Sequence, residues 1–198
     1  MRKLIMFIAI VAISVSAIQC KKEGDAKKTV ETTAEAKHKN PEEGHIHIDD
    51  PKYVSKEVKV VGDVIMPLTL TVDSLKKMNV VELKDFKVVC QSGATTEDIK
   101  STKGVLLKEI LEKATIEQKE HKDRNFYIVA RATDDYKATF SWAEIFNSPL
   151  GEQIYVLFEQ NGEPLKDKGE MIVISAGDTR TGPRHVKWLK SIEVNRVK

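Results

Sequence analysis

Residues Asn161 to Val194, NGEPLKDKGEMIVISAGDTRTGPRHVKWLKSIEV, hold the densest chemistry in the 198-residue chain. Asn161-Gly162 is a tight-turn dipeptide, Met171 to Ala176 is a short apolar run, and Gly177 to Pro183 is a loop rich in Gly, Pro and Thr. Three cations follow one another closely: Arg180, Arg184 and Lys187. A loop that exposes backbone N–H groups beside converging Arg and Lys side chains meets the requirement for capturing a phosphate or another small anion. The plainer reading of the same residues is a surface loop with solvated charges. Val186 and Trp188 interleave with Arg184 and Lys187, which predicts the apolar pair in the core and the cations outside.

Upstream, the patterning mixes strands and helices. Val58, Val60 and Val61 lead into Gly62-Asp63, a hairpin signal, and a second apolar run spans Val64 to Leu70, broken by Pro67. Val72 to Met78 has an acid early and Lys76-Lys77 late, as a short helix should. Val80 to Cys90 alternates as a strand, which places Cys90 at a strand end opening into a loop, Gln91 to Lys103. Leu106, Leu107, Ile110, Leu111 and Ala114 recur at helical spacing, with Ser101 or Thr102 as the expected cap. Phe126 to Ala132 and Lys137 to Phe140 read as strands about an Asp134-Asp135 turn. Ser141 to Phe146 reads as a short helix and Ile154 to Phe158 as a further strand. Strands and helices do not alternate strictly, so the expected fold class is α+β, with short helices around a mixed β-sheet.

The chain is 41% hydrophobic and 31% charged, which fits one globular domain with appendages. Met1 to Cys20 has a basic start, an apolar stretch from Leu4 to Val15 and small residues near its end, the pattern of a secretory signal. The end, Ser16-Ala17-Ile18-Gln19-Cys20, resembles a bacterial lipoprotein signal in which the cysteine is acylated. The expected organisation is therefore a signal peptide over 1–19, a disordered tether over 20–56 and a folded domain over 57–198. Cys20 would carry the lipid, and the domain would sit in the cell envelope as a membrane-anchored lipoprotein facing the periplasm or the exterior. Two of the 32 basic residues, Arg2 and Lys3, lie in the signal, leaving 30 basic against 30 acidic residues. That balance gives no indication of nucleic-acid binding.

Cysteine usage follows from this. With Cys20 lipidated, Cys90 has no disulfide partner in the chain and is either well buried or useful. The tether contains Glu42-Glu43-Gly44-His45-Ile46-His47-Ile48-Asp49-Asp50. In an extended segment His45 and His47 would project to one side, a weak Zn or Cu site at most. Common hydrolase signatures and nucleotide-binding glycine loops are absent from the sequence.

The run Asn161-Gly162-Glu163-Pro164-Leu165, then Gly169, an apolar strand, Gly177 and Gly182-Pro183-Arg184-His185-Val186-Lys187-Trp188-Leu189, resembles the molybdopterin-binding domain of sulfite-oxidase-type oxidoreductases. Val89-Cys90-Gln91-Ser92-Gly93 is similar to the family's cysteine loop, Gly104 to Leu111 to the helix after it, and Asp134-Asp135-Tyr136 to the following turn. The resemblance covers about Lys59 to Val194. It implies Cys90 as the thiolate ligand of a molybdenum ion, Arg184 and Lys187 on the pterin phosphate, Arg180 and Gly182 in the surrounding loop, and Tyr136 near the substrate. Those residue types suit the roles, since a soft thiolate suits a high-valent oxo-metal and Arg with Lys binds a phosphate dianion.

Three departures shape the functional expectation. Ala94 and Thr95 stand where the family usually has Asn and a basic residue, and Met171 and Val173 stand where it commonly has Pro and Arg. Arg2-Lys3 is not a twin-arginine pair, so export would thread an unfolded chain that cannot carry a preloaded cofactor. The expectation is a ligand-binding or accessory module with a small anion or pterin as ligand, its cofactor left open. The alternative is a molybdenum-cofactor-dependent oxidoreductase, and a further alternative is Zn or Cu binding at His45 and His47.

Overall fold

The computed structural model describes residues 53–198. Strand β1 (Val58–Gly62) buries Val58 and Val60 and returns antiparallel as β2 (Leu68–Leu70), with Val58 opposite Leu70. Gly62 has φ +97°, and a Cβ there would stand 2.0 Å from the Val194 carbonyl oxygen, so the close approach admits glycine alone. Helix α1 (Val72–Leu75) is a single turn opened by a reciprocal cap between Thr71 and Ser74.

Strands β3 (Val81–Val89) and β4 (Thr95–Leu106) form a long antiparallel hairpin. The expected loop from Gln91 to Lys103 is therefore strand over most of its length. Only Ile99 and Val105 along β4 are buried aliphatic residues, too few for an apolar period to emerge from its Thr, Glu, Asp and Lys. Neither Ser101 nor Thr102 caps a helix. Both belong to β4, and the buried Thr102 hydroxyl donates to the Glu159 carbonyl at 2.7 Å. Helix α2 (Leu107–Ala114) follows directly and buries Leu107, Ile110, Leu111 and Ala114 on one stripe.

The remaining elements are β5 (Phe126–Ala132), β6 (Lys137–Ser141), α3 (Trp142–Phe146), β7 (Ile154–Gln160), β8 (Glu163–Pro164), β9 (Ile172–Ser175) and β10 (Leu189–Arg196). Asn161 and Gly162 both take positive φ, 52° and 80°, in the β7–β8 turn, which is the conformation that an Asn-Gly hairpin dipeptide supplies. One sheet has the order β2-β1-β10-β5-β6, with β1 and β10 parallel and the other pairs antiparallel. The other runs β3-β4-β7-β8 with β9 on β7, and is antiparallel throughout. Both sheets, α2 and α3 share one core, containing Val60, Ile128, Ile192, Val156, Val173, Ile110 and Ile145. A second apolar cluster joins Phe86, Val88 and Ile99 of the β3–β4 hairpin to Leu157, Ile172 and Ile174. The molecule is thus an α+β domain of mixed sheet with short helices, as the sequence predicts.

Candidate functional site

Cys90 lies just past the end of β3, half-buried and free of any disulfide. A tight turn holds it: the Cys90 N–H donates to the Ala94 carbonyl at 2.8 Å and the Gly93 N–H donates to the Cys90 carbonyl at 2.9 Å. The loop between β9 and β10 packs against this turn. Thr181 is buried, and its hydroxyl accepts from the Val89 N–H at 2.9 Å while donating to the Lys87 carbonyl at 3.1 Å, so it takes the place of a neighbouring strand beside the end of β3. A Cβ on Gly182 would lie 3.0 Å from the Val89 carbonyl oxygen and 3.3 Å from the Cys90 Cα, which explains glycine there. Gly93, at φ +95°, faces the Arg180 guanidinium, whose Nη2 would lie 3.1 Å from an added Cβ. Cys90, Gly93, Arg180 and Gly182 therefore converge. Arg180 is exposed and, among the described residues, makes no ion pair or hydrogen bond.

The other expected anion-binding residues are placed differently. Arg184 Nε donates to Asp178 Oδ2 at 2.7 Å and its Nη2 to Asp178 Oδ1 at 2.5 Å, a two-pronged pairing, while Nη1 donates to Glu144 Oε1 at 3.0 Å. Its guanidinium also lies 4.8 Å from the centre of the Phe140 ring. The hydrogen bond to Asp178 raises the Arg184 pKa further, outweighing the opposing effect of burial. Glu144 is itself fixed, because its Oε2 accepts from the Ser141 N–H in the reciprocal cap of α3. Lys187 Nζ lies 3.4 Å from Glu97 Oε1, and the other Glu97 oxygen accepts from Lys168. Burial raises the Glu97 pKa, but the Lys168 hydrogen bond with the charges of Lys168 and Lys187 prevails and holds the carboxyl below its ordinary range.

His185 follows Arg184 in sequence and is 8% exposed, and among the described residues its Nε2 has no hydrogen-bond partner. Burial depresses its pKa from 6.5 to about 4, the Glu97 charge opposing and the Lys187 and Lys168 charges assisting. Val186 pairs with Val173 and is fully buried, in line with its expected core position. Trp188 departs from that expectation: it is half-buried, takes φ 48°, and lies against Gly169 and 6.1 Å, centre to centre, from the Tyr53 ring. Tyr136 reaches the same loop, donating its hydroxyl to the Pro183 carbonyl at 2.7 Å. Burial, then the Asp134 charge, raises its pKa, so the phenol remains a donor. Cys20, His45 and His47 lie outside the described residues. Among the described residues no cluster of three or more His, Cys, Asp or Glu has the makings of a metal site.

A family model described as the oxidoreductase molybdopterin binding domain matches residues 44–198. The chain belongs to that family. Among solved structures, this molybdopterin-binding-domain protein is similar in fold to the crystal structure of the sulfane dehydrogenase SoxCD from Paracoccus pantotrophus. The TM-score is 0.53 at 16% identity, covering 72% of this chain and 39% of that one. No curated protein matches the chain.

The residues present meet half of the family cofactor's requirements. The half-buried Cys90 thiol, the glycine approach at Gly182 and the unpartnered His185 Nε2 would receive a ligand. The phosphate end does not fit, because Arg184 and Lys187 already spend their charge on Asp178, Glu144 and Glu97. Sequence reading missed Glu97, Asp178, Glu144, Thr181 and Lys168. Glu144 alone left a local signal, the Ser-x-x-Glu cap from Ser141, which accounts for one of its oxygens.

Proposed function

We propose that the chain is a lipid-anchored, extracytoplasmic binding or accessory module on the molybdopterin-binding fold, and not a complete molybdoenzyme. The observation that carries this reading is the internal neutralisation of the two cations meant for the pterin phosphate: Arg184 by Asp178 and Glu144, Lys187 by Glu97. A phosphate dianion placed there would meet three carboxylates, and like charge at contact range in a partly desolvated site opposes binding strongly. The signal-like segment ending at Cys20 supports the anchor.

The second reading, a molybdenum-dependent oxidoreductase with Cys90 as metal ligand, draws support from the accessible thiol and the unpartnered His185 Nε2. Metal analysis and pterin fluorescence of the mature protein, purified from its own envelope, separate the two. The accessory reading expects no stoichiometric molybdenum. Molybdenum bound one-to-one and lost on Cys90→Ser would establish the enzyme instead.

A further inference from the structure

Glu97 is an acid on the wrong face of its strand. Across the β3–β4 hairpin, Glu97 pairs with Val88 as Ile99 pairs with Phe86, and directly opposed residues share a face of the sheet. Val88, Ile99 and Phe86 all belong to the second apolar cluster. The register shifts between Val88 and Val89, the latter facing Thr95, so Thr96 is an extra residue whose hydroxyl donates to the Val88 carbonyl at 3.2 Å. Glu97 itself follows the regular alternation from Ile99, so the last inward position before this bulge holds an acid. Its carboxylate meets Lys168 and Lys187, whose side chains are 16% and 38% exposed. Lys168 is further fixed by Gln160, whose side-chain oxygen accepts at 2.7 Å.

His185 completes the arrangement from the other side. It ends the short turn Gly182–Arg184 and precedes Val186, which bridges to Val173, and its buried ring lies close enough to Glu97, Lys187 and Lys168 to feel their charges. Its buried Nε2 remains without a partner. Two ammonium groups on one carboxylate, with an unsatisfied imidazole nitrogen within range of its charge, make a receptor for a tetrahedral oxyanion, with part of its hydrogen-bonding capacity unused.

We infer that Lys168, Lys187 and His185 form an oxyanion site whose resident anion is the chain's own Glu97 carboxylate, which excludes phosphate-class ligands until it is removed. This rests on the reading that the chain does not hold the pterin phosphate, and it names the residue responsible. A plain structural ion pair would leave no anion affinity behind when the acid is neutralised. An occupied receptor would.

The test uses the full chain and inorganic phosphate, with calorimetric titration and thermal melting of the wild type, Glu97→Gln and Glu97→Gln/Lys187→Gln. The expected result is phosphate affinity at least tenfold higher in Glu97→Gln than in the wild type, a melting temperature that rises with phosphate only in that variant, and loss of both gains in the double variant. Equal affinity in wild type and Glu97→Gln overturns the inference, as does a gain that survives Lys187→Gln. If Glu97→Gln is too unstable to isolate, Glu97→Ser removes the carboxylate charge with a shorter polar side chain. A phosphate gain there that Lys187→Gln erases supports the inference, and no gain overturns it. Stoichiometric molybdenum in the wild type would defeat the functional reading itself. Absence of molybdenum together with a silent phosphate titration would defeat only the role given to Glu97.

Discussion

The thiol side and the cation side of the candidate site are built to opposite rules. Around Cys90 the chain leaves chemistry uncommitted: the thiol is half-buried in a tight turn, glycines stand where side chains would obstruct, and Arg180 has no carboxylate partner among the described residues. Around Arg184 and Lys187 the chain commits nearly everything, with three carboxylates in direct contact with these two cations. The difference teaches that a motif can persist in sequence while its charges change employment. An Arg held in two-pronged fashion by an internal Asp is a structural cation, whatever its neighbours in sequence suggest.

The comparison can be broken most sharply with pH. His185 is held neutral by burial, its pKa depressed to about 4 from 6.5. A depressed pKa means that the unfolded chain binds the proton first, so this stability is complete above pH 6.5 and is lost as pH falls towards 4. The loss should reach about 3 kcal/mol at saturation. Urea unfolding from pH 7 to 4 should show it, and His185→Gln should flatten the curve above about pH 4.5. Glu97 and Glu144, both depressed, add their own loss only below their ordinary range, near pH 4.5. A wild-type profile that is level from pH 6.5 to 4.5 would mean that His185 is not a committed part of the core.

A smaller effect is expected from Asp178→Ala. Removing one partner of a largely buried pair leaves Arg184 with Glu144 alone, and the variant should lose about 2 kcal/mol in denaturant unfolding. A change under about 0.5 kcal/mol, the size typical of surface substitutions, would show that Arg184 is free for a ligand and would erase the contrast. The smallest effect belongs to Arg180→Ala, where the exposed guanidinium has no partner to lose. Its stability should stay within about 0.5 kcal/mol of the wild type, as for other surface changes. A larger loss would place Arg180 with the structural cations.

Much of the scaffold was legible because local signals agreed with the final packing. The Asn161-Gly162 turn, the apolar stripe of α2 and the Ser141 cap each carry their geometry in a few adjacent residues. The convergence of Cys90 with the Gly182 loop was legible only through family resemblance, since more than ninety positions separate Val89 from its partner Thr181. What stayed hidden is the fate of the charges. Glu97 reads as a solvated strand residue because Ile99 and Val105 are the only buried aliphatic residues along β4, too few to show that its alternate positions face inward. Asp178 reads as an ordinary loop acid until the loop folds back onto Arg184. Strand β10 carries no clean period of two, because a register shift between Leu189 and Ser191 breaks the alternation of its buried Leu189, Ile192 and Val194.

That last strand also decides when the domain can exist. β10 lies in the middle of its sheet, bonded to β1 on one side and β5 on the other. The earliest strand of the domain therefore has only its hairpin partner β2, and no link to β5 and β6, until residues 189–196 have been delivered. Contacts that span the full length of the domain make closure late and slow. A chain still emerging from a ribosome or a translocation pore leaves this sheet open until β10 is out, and the eight residues of that strand act as the latch.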